Sequence, residues 1–514
     1  MEELMKWIKT TLQLCAENTL DQNMKQRFFL QLKAIYEKFT EKEQDQIVDI
    51  LLSQLNGTEA IYVYSQINFF MENIRIKEGL YKAILREDLD ARYGSMVELQ
   101  TYRYLEGFYR EHRLLRKKNL KSWKEKFEFK YTYSSVRDRN PKRIAIVAEQ
   151  LLSILHAPTQ IIFNFAYILQ EKLGYEVLIF MCPCNSEMPE DLWFGPITMN
   201  SVDAYRFVPM KRGYRGAVFN GYQIDMSPYC VKEYSLMFDL IQAWNPIFVF
   251  SMGTDNPVTD LIAEFTTLVF MSVGLTCPVS EAQILIRLGR MDEDTEKEYL
   301  EVLGKEQKQI FLEDKIPVTA EKSDISLKRE DFGLPLESFL IAIVGNRLDK
   351  EIDQEFVRTM KTLLETHENI AFVIIGDVVE LKNYFKDEKY QDKIFYLGYC
   401  TDLMATYGMI DLYLNPNRAG GGFSSSMALT AGVPVITLPN CDVAYNVGTE
   451  FVVSNDEEMI AEVSKYLQDF EYYNYKKQCA EKISEKNSVE KLELYVKNIL
   501  DKVLPCIEEE TKAC

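Results

Sequence analysis

From residue 1 to about 130, apolar positions recur at helical spacing. Phe28, Phe29, Leu32, Ala34, Ile35 and Phe39 make one stripe, and Ile47, Ile50, Leu51 and Leu55 another. Steps of three and four residues place such side chains on one helix face. Proline is absent before Pro141, and Asn56-Gly57 and Gly94 supply the punctuation. The region therefore predicts an all-α domain over 1–135, with a dense Tyr/Phe stretch from Tyr102 to Tyr109. At Arg137–Pro141 the pattern changes to short β-branched runs separated by helical stretches. Lys142–Ala148, a helix through Ile161, Phe163, Phe165, Ala166, Ile168 and Leu169, and Val177–Met181 read as strand, helix, strand. That is a βαβ unit on a parallel sheet. Ile247–Phe250 and Leu268–Ser272 continue it, placing one α/β domain at 140–325.

A polar, charged stretch from Glu313 to Glu330 reads as a linker. A second series follows: Phe339–Val344, a helix near 353–366, Ile370–Ile375, Ile394–Leu397, Asp411–Leu414 and Val433–Leu438. Strands alternating with helical segments predict a second doubly wound sheet over 330–495, with 496–514 as a C-terminal tail. The fold class is thus α/β: two Rossmann-like domains facing a cleft, preceded by an all-α region. In such sheets ligands bind beyond the carboxyl ends of the strands, so the loops after strands carry the candidate chemistry.

Composition narrows the function. The chain has 514 residues, with 59 Lys plus Arg against 78 Asp plus Glu, a net charge of −19. Phosphate affinity comes mainly from Lys and Arg, so general nucleic-acid binding is excluded. Ten cysteines are scattered, only Cys182-Pro-Cys184 being close-paired, and there are three histidines. That is little material for a zinc cluster and suits reduced, mostly buried thiols in a cytoplasm. The N-terminus carries acids at once and does not read as a signal peptide. No stretch reaches the ~20 apolar residues of a membrane helix.

Four loops stand out. Asn415–Pro439 follows a strand and holds Gly420, Gly421 and Gly422, then Ser424, Ser425 and Ser426 where a helix should start. A helix N-terminus offers free N–H groups and partial positive charge, an anion site, and hydroxyls at its N-cap and N1 positions would add donors. Asn417 lies on the same loop. Arg347 and Lys350, after the first strand of this domain, could neutralise a diphosphate or simply pair with Asp349 or Glu351. Gly398 and Tyr399 follow another strand and could contact a flat base, or merely end the strand. His156, in the first loop of the first α/β domain, could serve as general base from the opposite wall of the cleft, or be structural. His112 and His367 fall in helical stretches and are read as surface residues.

Together, GNRLDKEID, IIGD, YLGYCTDL, IDLYLNP, the Gly/Ser loop and ALTAGVPVI resemble the nucleotide-sugar domain of GT-B-fold glycosyltransferases. The pattern is most similar to the branch holding O-GlcNAc transferase and the bacterial cytoplasmic N-glycosyltransferases. Ser424–Ser426 take the place of that branch's hydroxyl-rich helix start, and His156-Ala-Pro-Thr159 is similar to its His-Pro-Thr loop. The resemblance implies a hexosyl- or N-acetylhexosaminyltransferase moving sugar from a nucleotide-sugar, above all a UDP-sugar, to a protein side chain or a glycan. It implies His156 as the base, and Arg347, Lys350, Gly398, Tyr399, Asn417, Gly421, Gly422 and Ser424–Ser426 as the donor site. Many retaining members carry two glutamates around this loop, where Gly420 and Met427 stand here, and space the two cations more widely. Inversion is therefore the expectation, with Asp442 as a substitute carboxylate. No Asp-x-Asp directly follows one of these expected strands, Asp88-Leu-Asp90 lying in the helical region, so metal-free chemistry without a cofactor is expected. The helical region would serve acceptor binding or homo- or hetero-oligomerisation. Two other readings stay open: a non-catalytic GT-B-like partner or chaperone subunit of a transferase, and another GT-B enzyme such as an epimerase or a phosphorylase.

Overall fold

A computed structural model describes residues 6, 9–10, 22–54, 57–70, 73–104, 107–148, 151, 156–182, 207–224, 231–253, 257–273, 279–289, 293–319, 323–418 and 420–513. Most of the N-terminal stretch read for a signal peptide, Leu55, Asn56 and Cys184 of the Cys-Pro-Cys pair lie outside these residues, as do parts of the linker stretch. Among the described residues, five cysteines are free; Cys182 is buried, whereas Cys400, Cys441, Cys479 and Cys506 are only half-buried. The expectation of mostly buried thiols is corrected for this set. No described helix is long and apolar enough to cross a membrane.

Among the described residues six helices are delimited ahead of the first sheet: α1 (Gln22–Tyr36), α2 (Glu41–Gln54), α3 (Gly57–Phe70), α4 (Ile74–Arg86), α5 (Ala91–Tyr104) and α6 (Tyr109–Phe127). The case of α4 shows why they form. Asn73 caps it by accepting from the Arg75 N–H at 3.0 Å, and Ile76, Leu80, Tyr81, Ala83 and Ile84 form its buried face. Capping satisfies an orphan donor of the first turn, and burial of the apolar face supplies most of the stability. Against the sequence expectation, His112 is buried, with its Nε2 2.7 Å from the Tyr81 hydroxyl. His367 caps a later helix and its Nε2 lies 2.8 Å from the Ser464 hydroxyl.

Among the described residues the first sheet has eight strands: β1 (Asn140–Ala148), β2 (Glu176–Met181), β3 (Phe207–Tyr214), β4 (Ala217–Ile224), β5 (Pro246–Met252), β6 (Leu268–Met271), β7 (Ile284–Leu288) and β8 (Lys308–Leu312). Their order is β3-β4-β2-β1-β5-β6-β7-β8. All neighbours pair in parallel except β3 and β4, an antiparallel hairpin turning at Arg215-Gly216. Both turn residues have positive φ, 50° and 78°, the geometry that matches strand twist in a two-residue hairpin. The sequence had predicted parallel strands alone.

The second sheet is wholly parallel: β9 (Phe339–Val344), β10 (Ile370–Ile375), β11 (Ile394–Gly398), β12 (Leu412–Leu414) and β13 (Val435–Ile436), in the order β11-β10-β9-β12-β13. The helix between β9 and β10 (Gln354–Thr366) starts at Asp353, which accepts from the Phe356 N–H at 2.8 Å, and buries Phe356, Val357, Met360, Leu363 and Leu364. The chain ends in three helices, the last continuous over Val489–Ala513. Packing divides the chain into two compact units. One comprises Met1–Leu152, Leu169–Glu313 and Lys502–Cys514, with the N-terminal helices and the first sheet. The other comprises Ser153–Ile168 and Asp314–Asp501, with the second sheet.

Candidate functional site

In the second sheet, β9 leads to β10 and β11 on one side, and the chain then crosses to β12 and β13 on the other. The reversal lies between β9 and β12, where ligands of such sheets bind. Two predicted loops meet there: Gly345–Lys350 after β9, and Asn415–Gly421 after β12.

Helix α14 (Gly422–Thr430) closes the second loop; in chain order it follows α7 (Ala157–Tyr167), α8 (Val231–Trp244), α9 (Glu293–Val302), α10 (Leu348–Glu351), α11 (Gln354–Thr366), α12 (Glu388–Gln391) and α13 (Leu403–Tyr407). Its N-cap is Gly421 in the left-handed region, at φ 86°. This corrects the sequence expectation, which put the serines at the N-cap and N1. Gly421 fixes the N-cap three residues earlier, so Ser424–Ser426 occupy the first and second turns. Their hydroxyls bend back onto the helix: Ser424 donates to the Gly421 carbonyl at 2.9 Å, and Ser425 and Ser426 to the Gly422 carbonyl at 2.8 and 3.0 Å. Ser425 and Ser426 are also buried. The donors left for an anion are the first-turn N–H groups, which have no intrahelical acceptor.

Arg347 stands at the N-cap of α10, and its guanidinium reaches back to Glu351 at 2.8 Å. Its Nη2 also lies 3.3 Å from where a side chain on Gly420 would begin, so it lies against the glycine loop. Lys350 is exposed on the same turn. Asp349 takes no part in this pairing; it accepts from the Val379 and Leu381 N–H groups at 2.7 and 2.8 Å, tying the loop after β10 to that after β9. Asn417 is exposed on the β12 loop. Gly398 (φ 65°) ends the edge strand β11 and accepts from the Gly376 N–H at 2.8 Å, and Tyr399 beside it is 47% exposed. Asp442, the candidate substitute carboxylate, opens a short helix (Asp442–Val447) whose start abuts Gly422.

Sequence reasoning missed Arg418. Its guanidinium is buried and donates to the Asn415 Oδ1 at 3.0 Å, the Val344 carbonyl at 2.6 Å, the Tyr413 hydroxyl at 2.9 Å and the Glu351 carboxylate at 2.7 Å. It thus ties the end of β9 to the end of β12. The available signal was an arginine just ahead of three glycines, residues small enough to admit a buried guanidinium.

His156 follows β1 in sequence, yet its segment, Ser153–Ile168, packs within the second unit. The reason is α7, which buries Ile162, Phe163, Phe165 and Ala166 and sets Phe165 edge-on to Tyr495, ring centroids 6.3 Å apart. His156 is the N-cap of α7, with Nδ1 2.9 Å from the Thr159 hydroxyl. Burial holds its pKa below the ordinary histidine value. Its ring is therefore neutral near pH 7, and an Nδ1–H tautomer leaves Nε2 able to accept a proton.

Residues 324–485 match the family described as glycosyl transferases group 1. No curated protein sequence matches the chain. Among solved structures, a mutant of the O-GlcNAc transferase of Thermobaculum terrenum is similar at 13% identity and a TM-score of 0.52, with 88% of each chain covered. HepE of Anabaena, in complex with UDP and glucose, is similar at 11% identity and a TM-score of 0.49, over 70% of this chain and all of that one (100%). The fold is thus GT-B, preceded by a mostly helical region, and the residues that match the glycosyl transferases group 1 family lie within the second unit.

Proposed function

We propose that the protein is a glycosyltransferase that takes sugar from a UDP-sugar and transfers it to a protein side chain without a metal ion. The observation that carries this reading is Arg347 lying against Gly420 at the open start of α14, on the strand-order reversal of the sheet. Departure of a nucleoside diphosphate builds negative charge on its β-phosphate. Cations and helix N–H groups fixed around that charge stabilise the transition state by several kcal/mol. Arg347, Lys350 and the first-turn N–H groups of α14 would supply that stabilising charge. Gly398 and Tyr399 would receive the base. His156 takes the acceptor proton in an inverting displacement: the acceptor oxygen or nitrogen bonds to the anomeric carbon, the bond to the diphosphate breaks, and the proton passes to Nε2. Metal independence is carried over from the sequence expectation, and Asp292-Glu293-Asp294, an Asp-x-Asp four residues beyond β7, is the feature that counts against it.

The test is calorimetric titration with UDP and GDP in EDTA, then a panel of UDP-sugars. Micromolar UDP binding in EDTA, with turnover of one UDP-sugar, is the expected result. A second reading, a non-catalytic partner subunit, is favoured by Gly420 and Met427 standing where retaining relatives carry glutamates. Absence of any nucleotide affinity would decide for it.

A further inference from the structure

Arg347 does not stand alone. Its carboxylate partner Glu351 is shared: Oε1 lies 2.8 Å from Arg347 Nη2, and Oε2 lies 2.7 Å from Arg418 Nη1. The three side chains grade from solvent to core, with 68% exposure for Arg347, 13% for Glu351 and 4% for Arg418. Arg418 spends its other donors on Asn415, Val344 and Tyr413. None of these four acceptors can be given up cheaply in a buried site. Arg418 is therefore fixed, and a fixed Arg418 fixes the Glu351 carboxylate. Two glycines make room for it: a side chain on Gly345 or Gly421 would begin inside contact distance of the guanidinium, at 2.7 Å in the case of Gly421.

We propose that Glu351 is a positioning residue, anchored by Arg418, that holds the Arg347 guanidinium over the glycine loop for the β-phosphate of the donor. This rests on the nucleotide-diphosphate reading of the site. An exposed arginine loses considerable side-chain freedom when it is ordered on a ligand. Glu351 has already imposed that order at the other end of the guanidinium. Arg418, with its donors engaged, is an anchor and not a phosphate ligand.

The alternative is that Glu351 is only an acid beside an anion site, and the two differ in sign. A mere acidic neighbour repels a diphosphate, so Glu351→Gln would tighten UDP. A positioning carboxylate lets Arg347 wander when its charge is removed, so Glu351→Gln would weaken UDP. The quantity to measure is the ratio of UMP to UDP dissociation constants, which isolates the β-phosphate. In Arg347→Ala the ratio should fall roughly tenfold, the loss of one charge-assisted contact. In Glu351→Gln it should fall about three- to tenfold while UMP affinity stays at the wild-type value, which also reports that the variant is folded. In the double variant Glu351→Gln should add nothing, because two residues acting through one contact are not additive. Glu351→Asp, which keeps the charge on a shorter arm, should recover part of the ratio. An unchanged or raised ratio in Glu351→Gln, or an equal further fall in the double variant, overturns the positioning role. A wild-type chain that does not distinguish UDP from UMP overturns the nucleotide-diphosphate reading itself.

Discussion

At the scale of single residues, His156 and Lys315 carry the sharpest consequences. His156→Ala should lower turnover roughly 10²–10⁴-fold, the span of general-base contributions, and leave UDP affinity within about twofold. Because burial lowers the His156 pKa, the wild-type rate should stay flat through neutral pH and fall only on acidification below the ordinary value of ~6.5. A fully active His156→Ala ends the base assignment. Lys315 belongs to the same unit. Its ammonium sits 5.0 Å from the Tyr445 ring centroid, and burial, aided by Lys486, pushes its pKa down to about 8. Between that value and its unfolded pKa, the unfolded chain binds the proton and the folded chain does not. Folding stability should therefore rise with pH across that window, and the cost is fully present below it. Lys315→Met removes the cost, so its gain in melting temperature should be largest below pH 8 and shrink towards pH 10. A gain independent of pH would show that packing, and not charge, separates the two proteins.

At the scale of elements, the two loops at the end of β9 and β12 work because glycines admit an arginine between them. Gly345→Ala places a methyl group against Arg418 Nη1. Arg418 cannot retreat without leaving buried acceptors unpaired, so the variant should lose roughly 1–3 kcal/mol of stability in urea titration and weaken UDP as well. Gly421→Ala adds the strain of φ 86° and should be worse. Wild-type stability for both would mean that Arg418 is not the tie between the strands. This is also where the sequence was most and least legible. The second sheet was readable because its strands are continuous apolar runs, as strands covered on both faces must be, and Gly420–Gly422 are contiguous. The pairing of Glu351 with Arg418 was not, because the partners stand 67 residues apart and only the sheet order joins them. The serines were misplaced because the start of α14 is set by the backbone of Gly421, which no hydroxyl announces. The β3–β4 hairpin was missed because Phe207–Tyr214 carries Pro209, Lys211, Arg212 and Gly213, the composition of an edge strand and not of a core one.

At the scale of the whole molecule, the N-terminal helices are built into the first unit. The second half of α6 supplies Leu120 and Trp123 to the same core as Tyr234, Phe238, Val249 and Phe265 around the first sheet, while Leu115 on the same helix belongs to the helical core. Between the two cores lies a buried charge cluster. Arg116 on α6 is paired with Glu98 on α5 and, at 2.7 Å, with Asp260 in the turn Pro257–Glu264 before β6. Asp260 also accepts from the Ser280 hydroxyl at 2.6 Å and the Glu281 N–H at 2.8 Å, and Glu98 from the Asn119 amide at 2.6 Å. Removing the cation strands two carboxylates out of water, so Arg116→Ala should cost roughly 3–5 kcal/mol in urea unfolding. Glu98→Gln removes one of the two charges that Arg116 balances and should cost less. The same geometry predicts the fate of a chain cut at residue 135. It would expose the apolar surface that Trp123 covers and leave Asp260 without its cation, so residues 136–514 should be insoluble or partly unfolded. A monodisperse 136–514 fragment that binds UDP as the full chain does would show the helices to be an appended module. In that case the charge cluster would contribute to docking alone and not to the folding of the first sheet.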